Sequence, residues 1–370
     1  MDNKMKEVAL LFLKLGITAF GGPAAHIAMM QQEVVTKRKW MTQQHFLNII
    51  GAVNLIPGPN STEIAIHTGY NRAGWKGLIA AGICFILPAV LITGAFAWLY
   101  KTYGSLPQVQ PFVYGIKPAV IAIILSAVYP LGKKAIKSFI LGVLGLTVLL
   151  FAIMGISEIY LMFGAGLLFM LLFSLQNKKT LSFTPSGIII LFSSEAFNSQ
   201  NIKLFLIFLK VGAILYGSGY ALFAFLDTEL VATGMLTKNQ LIDAIAVGQF
   251  TPGPVFSSVT FIGYQINGLW GAIVATIGIF IPSFVFVGFI GPIMKKLESS
   301  SLFCAFLDAV NVAAVAVIAA VCFSMAQESV TNWRTVIIAL LAIVAAFHYK
   351  INSAYIILGG SVAGYLLLLL

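Results

Sequence analysis

Leu55–Glu63 reads LIPGPNSTE, and Phe250–Ser258 reads FTPGPVFSS. Proline lacks the N–H that a helix interior needs and clashes with the turn before it, yet it suits a helix's first turn. Each Pro-Gly-Pro therefore ends one helix and starts another. Both breaks lie in the middle of apolar segments, 43–69 and 238–263. Each arm of about 10–14 residues reaches roughly 15–21 Å at 1.5 Å per residue, short of a ~30 Å hydrocarbon core. The expected form is a re-entrant hairpin, not a spanning helix.

The composition says what surrounds these hairpins. Of 370 residues, 59% are hydrophobic and 9% charged, with mean hydropathy +0.97. A soluble domain carries roughly 25% charged residues, so this chain cannot cover itself with a solvated surface. It reads as an all-α polytopic membrane protein. The net charge of +10 would suggest nucleic acid in a soluble protein. Here the cations cluster between apolar runs, where they encode topology, so no nucleic-acid partner is expected. Cys84, Cys304 and Cys322 sit in apolar stretches without a CxxC or a His/Cys cluster, so neither disulfide nor structural metal is expected. No cofactor motif is visible. Met1–Glu7 is followed by no small-residue cleavage site, so the first apolar run is expected to stay in the membrane.

Working outward from the two breaks, residues 12–88 lay over 208–282 with two one-residue gaps. FLKLG at Phe12–Gly16 meets FLKVG at Phe208–Gly212, and the pairs Lys14/Lys210, Gly21/Gly217, Glu33/Glu229, Gly69-Tyr70/Gly263-Tyr264 and Pro88/Pro282 follow in order. Chance likeness of apolar helices explains matched Leu and Ile, not matched Lys, Glu, Gly and Pro. The chain divides into a first repeat (1–180), a linker (181–203) and a second repeat (204–370). In each repeat a long apolar segment interrupted by glycine (8–35; 204–231) precedes the Pro-Gly-Pro hairpin, and four further segments follow.

This reading gives five crossings per repeat, an odd number that inverts the second copy. Placing Lys37-Arg38-Lys39 in the cytoplasm puts fourteen loop cations inside and five outside, as the positive-inside rule requires. The expectation is ten crossings plus two re-entrant hairpins in antiparallel repeats. A rival count has the glycine break turn the first segment back, with 185–197 as an added crossing. Inverted repeats with discontinuous helices are a transporter architecture with its site near the midplane. Neither a Ser/His/carboxylate hydrolase set nor a HExxH motif is present, so no enzyme is expected.

The candidate site follows from the breaks. A helix N-terminus exposes unpaired N–H groups and about half a positive charge, which suits an anion. Pro57, Gly58 and Pro59 with Asn60, Ser61 and Thr62, and Pro252, Gly253 and Pro254 with Ser257 and Ser258, form two such termini. The bland alternative is a capping box of Asn60 and Glu63 on a merely kinked helix. Phe20-Gly21-Gly22-Pro23 and Tyr216-Gly217-Ser218-Gly219 free further backbone donors, or simply pack helices closely. Lys14 and Lys210, costly at membrane depth, would supply compensating charge, need a carboxylate partner, or snorkel. Glu33 and Glu229, the matched acids, are either solvated or proton-coupling. His26, opposite Leu222, reads as a packing residue. Lys117 faces Val312 in the other copy, and Asp243 and Asp308 are unmatched acids open to pairing with a lysine.

At these residues the sequence resembles the chromate ion transporter family in its long-chain, two-domain form. The matching stretches are FGGPAAHIAMM at Phe20–Met30, NLIPGPNSTEIAIHTGY at Asn54–Tyr70, and LYGSGYALFAFL with FTPGPVFSS in the second copy. The resemblance covers nearly the whole chain. It implies a multi-pass protein of the bacterial cytoplasmic membrane, with halves in opposite orientation, that exports chromate. Sulfate shares chromate's tetrahedral dianionic shape, so a sulfate carrier stays open, as do a passive anion channel and a homodimeric assembly. The second copy departs from the first at Gly217-Ser218-Gly219 and lacks His26, so the halves need not contribute equally.

Overall fold

The computed structural model describes residues 3–20, 22–104, 106–177, 200–216, 219–289 and 300–369. Fourteen α-helices account for nearly all of them, and these residues contain no strand. In the first copy they are α1 (Asn3–Thr18), α2 (Gly22–Gln31), α3 (Gln43–Val53), α4 (Asn60–Tyr103), α5 (Gln110–Ala135), α6 (Phe139–Ile153) and α7 (Glu158–Asn177). In the second they are α8 (Gln200–Ile214), α9 (Ala221–Leu226), α10 (Lys238–Phe250), α11 (Ser258–Phe289), α12 (Ser301–Ser329), α13 (Trp333–Phe347) and α14 (Ser353–Leu369). Five stretches are long and apolar enough to cross a membrane: α4, α5, 158–175 of α7, 255–289 (α11 with the short turn before it) and α12.

α4 and α11 are each two helices joined by a tight reversal. Ala73 (φ −141°, ψ 23°) and Gly74 (φ 61°, ψ −150°) make the first reversal, and Asn267 (φ −142°, ψ 37°) and Gly268 (φ 60°, ψ −150°) the second. The left-handed position is one that glycine occupies without penalty. Beyond it the arms touch through glycine: a Cβ on Gly77 would strike the Gly69 carbonyl, and one on Gly271 the Gly263 carbonyl. Small residues at this spacing let helix backbones approach closely in a membrane.

The Pro-Gly-Pro segments are hairpins. α3 and the first arm of α4 run antiparallel, since Asn60 Nδ2 donates to Asn54 Oδ1 (2.8 Å) at the break while Asn71 meets His45 (3.2 Å) at the far end. Thr42 caps α3 through the His45 amide, and Thr237 caps α10 at the corresponding place, where Gln240 completes a capping box.

One expectation is corrected. The segment 8–35 does not continue as one crossing rod: α1 and α2 fold back on each other, and so do α8 and the α9 region. Lys14 pairs with Glu33 (3.2 Å), His26 Nε2 meets the Ala19 carbonyl (3.1 Å), and Arg72 pairs with Glu7 (2.7 Å) while stacking over Trp40. Residues 7 and 40 thus lie at one end. The cause is local: Gly22 adopts φ +79° and Pro23 follows it, so the chain leaves right-handed helix at once. The return arm ends in a π-helical turn in both copies, at Gln32–Lys37 and Asp227–Val231. The alternative crossing at 185–197, most of the 181–203 linker, Gly21, Gly217 and Ser218 lie outside the described residues; α8 begins at Gln200.

The two copies pack through α4 and α11, whose long arms are antiparallel. Gly82 lies against Phe284, and Gly288 against Trp75, so early positions of one arm meet late positions of the other. Gln265 at the second reversal donates to the Ala97 carbonyl (3.0 Å). The largest apolar cluster draws on both copies, from Val120 and Ile124 to Phe223, Phe261 and Val317.

Candidate functional site

Each Pro-Gly-Pro is held by the other copy. The Gly58 amide donates to the Leu215 carbonyl (2.8 Å), and the Gly253 amide donates to the Ala19 carbonyl (2.8 Å). Leu215 and Ala19 occupy equivalent places at the ends of α8 and α1, so the two bonds form a symmetric exchange. Both glycines have positive φ, +137° and +87°, a region that favours glycine. The exchange sets each break against the other copy's first-segment turn, and 56–59 and 251–258 are buried.

Hydroxyls line the breaks. Thr62, Ser257 and Ser258 are fully buried, and none of their oxygens has a hydrogen-bond partner among the described residues; Ser283, equally buried, meets the Glu63 carboxylate. Buried polar groups are nearly always hydrogen-bonded, so three unpartnered hydroxyls mark a place built for something else. The first-turn amides of Asn60 and Ser61 have no intrahelical acceptor, as at any helix start. Asn60 is half-buried and its partner Asn54 exposed, which leaves an accessible rim beside the break. In the second copy Gln249 takes Asn54's place; it is buried and accepts from the Tyr220 hydroxyl (3.3 Å).

The capping-box alternative is not realised. Pro59 is the cap residue of α4 and makes no side-chain bond, and Glu63 does not return to the backbone. Glu63 is instead 0% exposed, with its carboxylate against Gly58. Sequence reasoning missed this residue because its counterpart is Ser258, and the search for matched acids led elsewhere.

Those matched acids have partners. Lys14 pairs with Glu33, and Lys210 with Glu229 (2.6 Å). Glu33 also takes Lys37 (3.0 Å) and Arg38 (3.4 Å), which leaves excess positive charge around one carboxylate. Lys14 is 57% exposed along its side chain, and Glu33 balances its charge. Gly22 and Gly219 are half-buried at the turns. Of the unmatched groups, Asp308 pairs with Lys137 (2.6 Å), Asp243 accepts from the Tyr100 hydroxyl (2.6 Å), and Lys117 donates to Asn239 (2.9 Å). No cluster of metal-ligating side chains occurs among the described residues.

Apolar helices long enough to span a bilayer, with broken helices that carry buried hydroxyls, are the architecture of a multi-pass membrane transporter. The family model described as chromate transporter matches residues 6–170 and again 202–365, once in each copy. The chain belongs to the chromate transporter family. It is 31% identical over 372 residues to the probable chromate transport protein of Synechococcus elongatus, covering 97% of this chain and 95% of that one. It is 31% identical over 370 residues to the chromate transport protein of Cupriavidus metallidurans (96% and 91% covered), and 29% identical over 376 residues to that of Pseudomonas aeruginosa (96% and 90%). No solved structure matches this chain.

Proposed function

We propose that this protein exports chromate across the cytoplasmic membrane by alternating access between two inverted halves. The observation that carries the reading is the reciprocal pair of bonds from Gly58 to Leu215 and from Gly253 to Ala19. That pair ties each helix start, with its unpartnered hydroxyls, to the opposite half, which supports a site shared between the halves. Asn60, Ser61 and Thr62 from one half, with Ser257 and Ser258 from the other, would bind the tetrahedral dianion. Gly58 and Gly253 shape the loops, because their amides are already used. Lys14 and Lys210, each balanced by a carboxylate, act as cations at the inner and outer mouths and not as ligands.

The membrane arrangement consistent with this reading follows the rival count, with 75–103, α5, α6 and α7 crossing in the first half, 269–289, α12, α13 and α14 in the second, and one further crossing between them, for which 185–197 is the candidate, inverting the second half. The four broken segments enter and return. Lys4 and Lys6 then join Lys37–Lys39, Arg72, Lys133, Lys134 and Lys137 on the cytoplasmic side, while Lys101, Lys203, Lys238 and Arg334 face out, a sharper positive-inside bias.

Direction follows from charge. One charge crossing 100 mV is worth ~2.3 kcal/mol, so a dianion leaving a negative-inside cell gains about 4.6 kcal/mol, roughly a thousand-fold gradient. Export can therefore run on membrane potential alone. Purified protein in liposomes should show counterflow of labelled chromate that saturates. Flux without saturation or counterflow would mean a channel, and faster counterflow with sulfate than with chromate would mean a sulfate carrier.

A further inference from the structure

Glu63 lies one turn into α4, beside the first Pro-Gly-Pro break. It is 0% exposed, and among the described residues its carboxylate meets the neutral hydroxyl of Ser283 and no charged partner. A Cβ built on Gly58 would run into Glu63 Oε1 and stand 2.9 Å from Ser283 Oγ, so carboxylate and hydroxyl converge on the Pro-Gly-Pro glycine from opposite copies. The groups facing Glu63 are few. α11 contributes Ser283, the residues after α8 contribute the Tyr216 phenol, and α4 itself contributes Thr62. His26 of α2 turns its Nε2 to the Ala19 carbonyl instead. No lysine, arginine or histidine pairs with Glu63 among the described residues, and the lysines at matched positions are held by Glu33 and Glu229.

An ionised carboxylate buried without a cationic partner is far costlier than its neutral form. It would also repel an oxyanion arriving at the helix starts beside it. A neutral carboxyl does the opposite, because its O–H is one more donor to an anion oxygen. We propose that Glu63 is the proton-binding residue of the oxyanion site, so that one proton and one dianion cross the membrane together. This inference rests on the oxyanion reading above. The proton comes from water on the open side and bonds to a Glu63 oxygen; the resulting O–H donates to the bound oxyanion. When the site opens to the other side the oxyanion leaves and the proton returns to water there. The net charge moved falls from two to one. Ser258 stands at the equivalent position of the second copy, so the stoichiometry is one proton.

The test uses the full protein in liposomes with equal pH on both sides and a valinomycin clamp of about 59 mV, which is worth about tenfold per unit charge. Chromate should distribute about tenfold, against about a hundredfold for a bare dianion. In E63Q the ratio should rise towards a hundredfold, since the amide donates without titrating. Imposing a tenfold proton gradient should shift the wild-type ratio about tenfold and leave that of E63Q in place. Should E63Q not fold, E63D serves instead, with coupling kept and the pH of half-maximal transport moved; an unmoved midpoint overturns the assignment. A hundredfold wild-type ratio, a ratio of ten that persists in E63Q, or one that follows a sodium gradient also overturns it while leaving oxyanion transport standing. No potential-driven accumulation of chromate or sulfate under any clamp would remove the oxyanion reading, and this inference with it.

Discussion

At the scale of residues, two left-handed glycines carry different burdens. Gly58 (φ +137°) has Glu63 Oε1 and Ser283 Oγ where a Cβ would stand, while Gly74 (φ +61°) faces open space. Gly74→Ala should therefore cost only the left-handed penalty of about 1–2 kcal/mol. Gly58→Ala adds overpacking of about 1–3 kcal/mol at the break itself. Thermal unfolding in detergent, with chromate counterflow on the same preparation, should show G74A slightly destabilised and active, and G58A more destabilised and inactive. Equal behaviour of the two would contradict this. The lysines are tested differently. With Glu33 shared among Lys14, Lys37 and Arg38, the cluster attracts anions at a distance. K14Q/K210Q should therefore slow chromate uptake at low ionic strength, with the deficit fading as salt shortens the screening length to about 8 Å and below. A deficit that persists at high salt would make the lysines ligands after all. Glu63 was not legible in the sequence, because the repeat directs attention to residues that recur, and a site occupied in one copy alone leaves no echo.

At the scale of elements, the sequence exposed the Pro-Gly-Pro hairpins because two prolines around a glycine forbid a continuous helix whatever surrounds them. It exposed the fold-back of the first segment poorly. Phe20-Gly21-Gly22-Pro23 reads equally well as a kink, and the deciding contacts, Lys14 to Glu33 and Arg72 over Trp40, join residues far apart in the chain. The reversal at Ala73–Gly74 was hidden for another reason: Arg72 and Lys76 announce a loop, but not that it closes within two residues. The arms beyond it meet at Gly69 and Gly77, as they do at Gly263 and Gly271. Gly77→Val should push these backbones apart and destabilise the protein by about 1–3 kcal/mol; Gly164→Val, in open space on α7, should be neutral or stabilise by a few tenths of a kcal/mol, because valine is the better helix former. Unfolding midpoints of the two variants, compared in one detergent, check this, and equal losses would speak against glycine-mediated packing.

At the scale of the whole molecule, everything depends on how the two copies are set against each other. The reciprocal bonds of Gly58 and Gly253, the antiparallel course of the long arms of α4 and α11, and the split of basic residues between the two ends all suit oppositely oriented halves that share one site. Impermeant thiol labelling in right-side-out and inside-out vesicles reads this arrangement directly. Single cysteines at Lys6, Lys39, Gln200 and Ala232, on a background lacking Cys84, Cys304 and Cys322, sample the start and end of both folded-back segments. The account predicts that positions 6 and 39 label from the cytoplasmic face, and positions 200 and 232 from the outer face. Labelling of 6 and 39 from opposite faces, or of 39 and 232 from the same face, would contradict it.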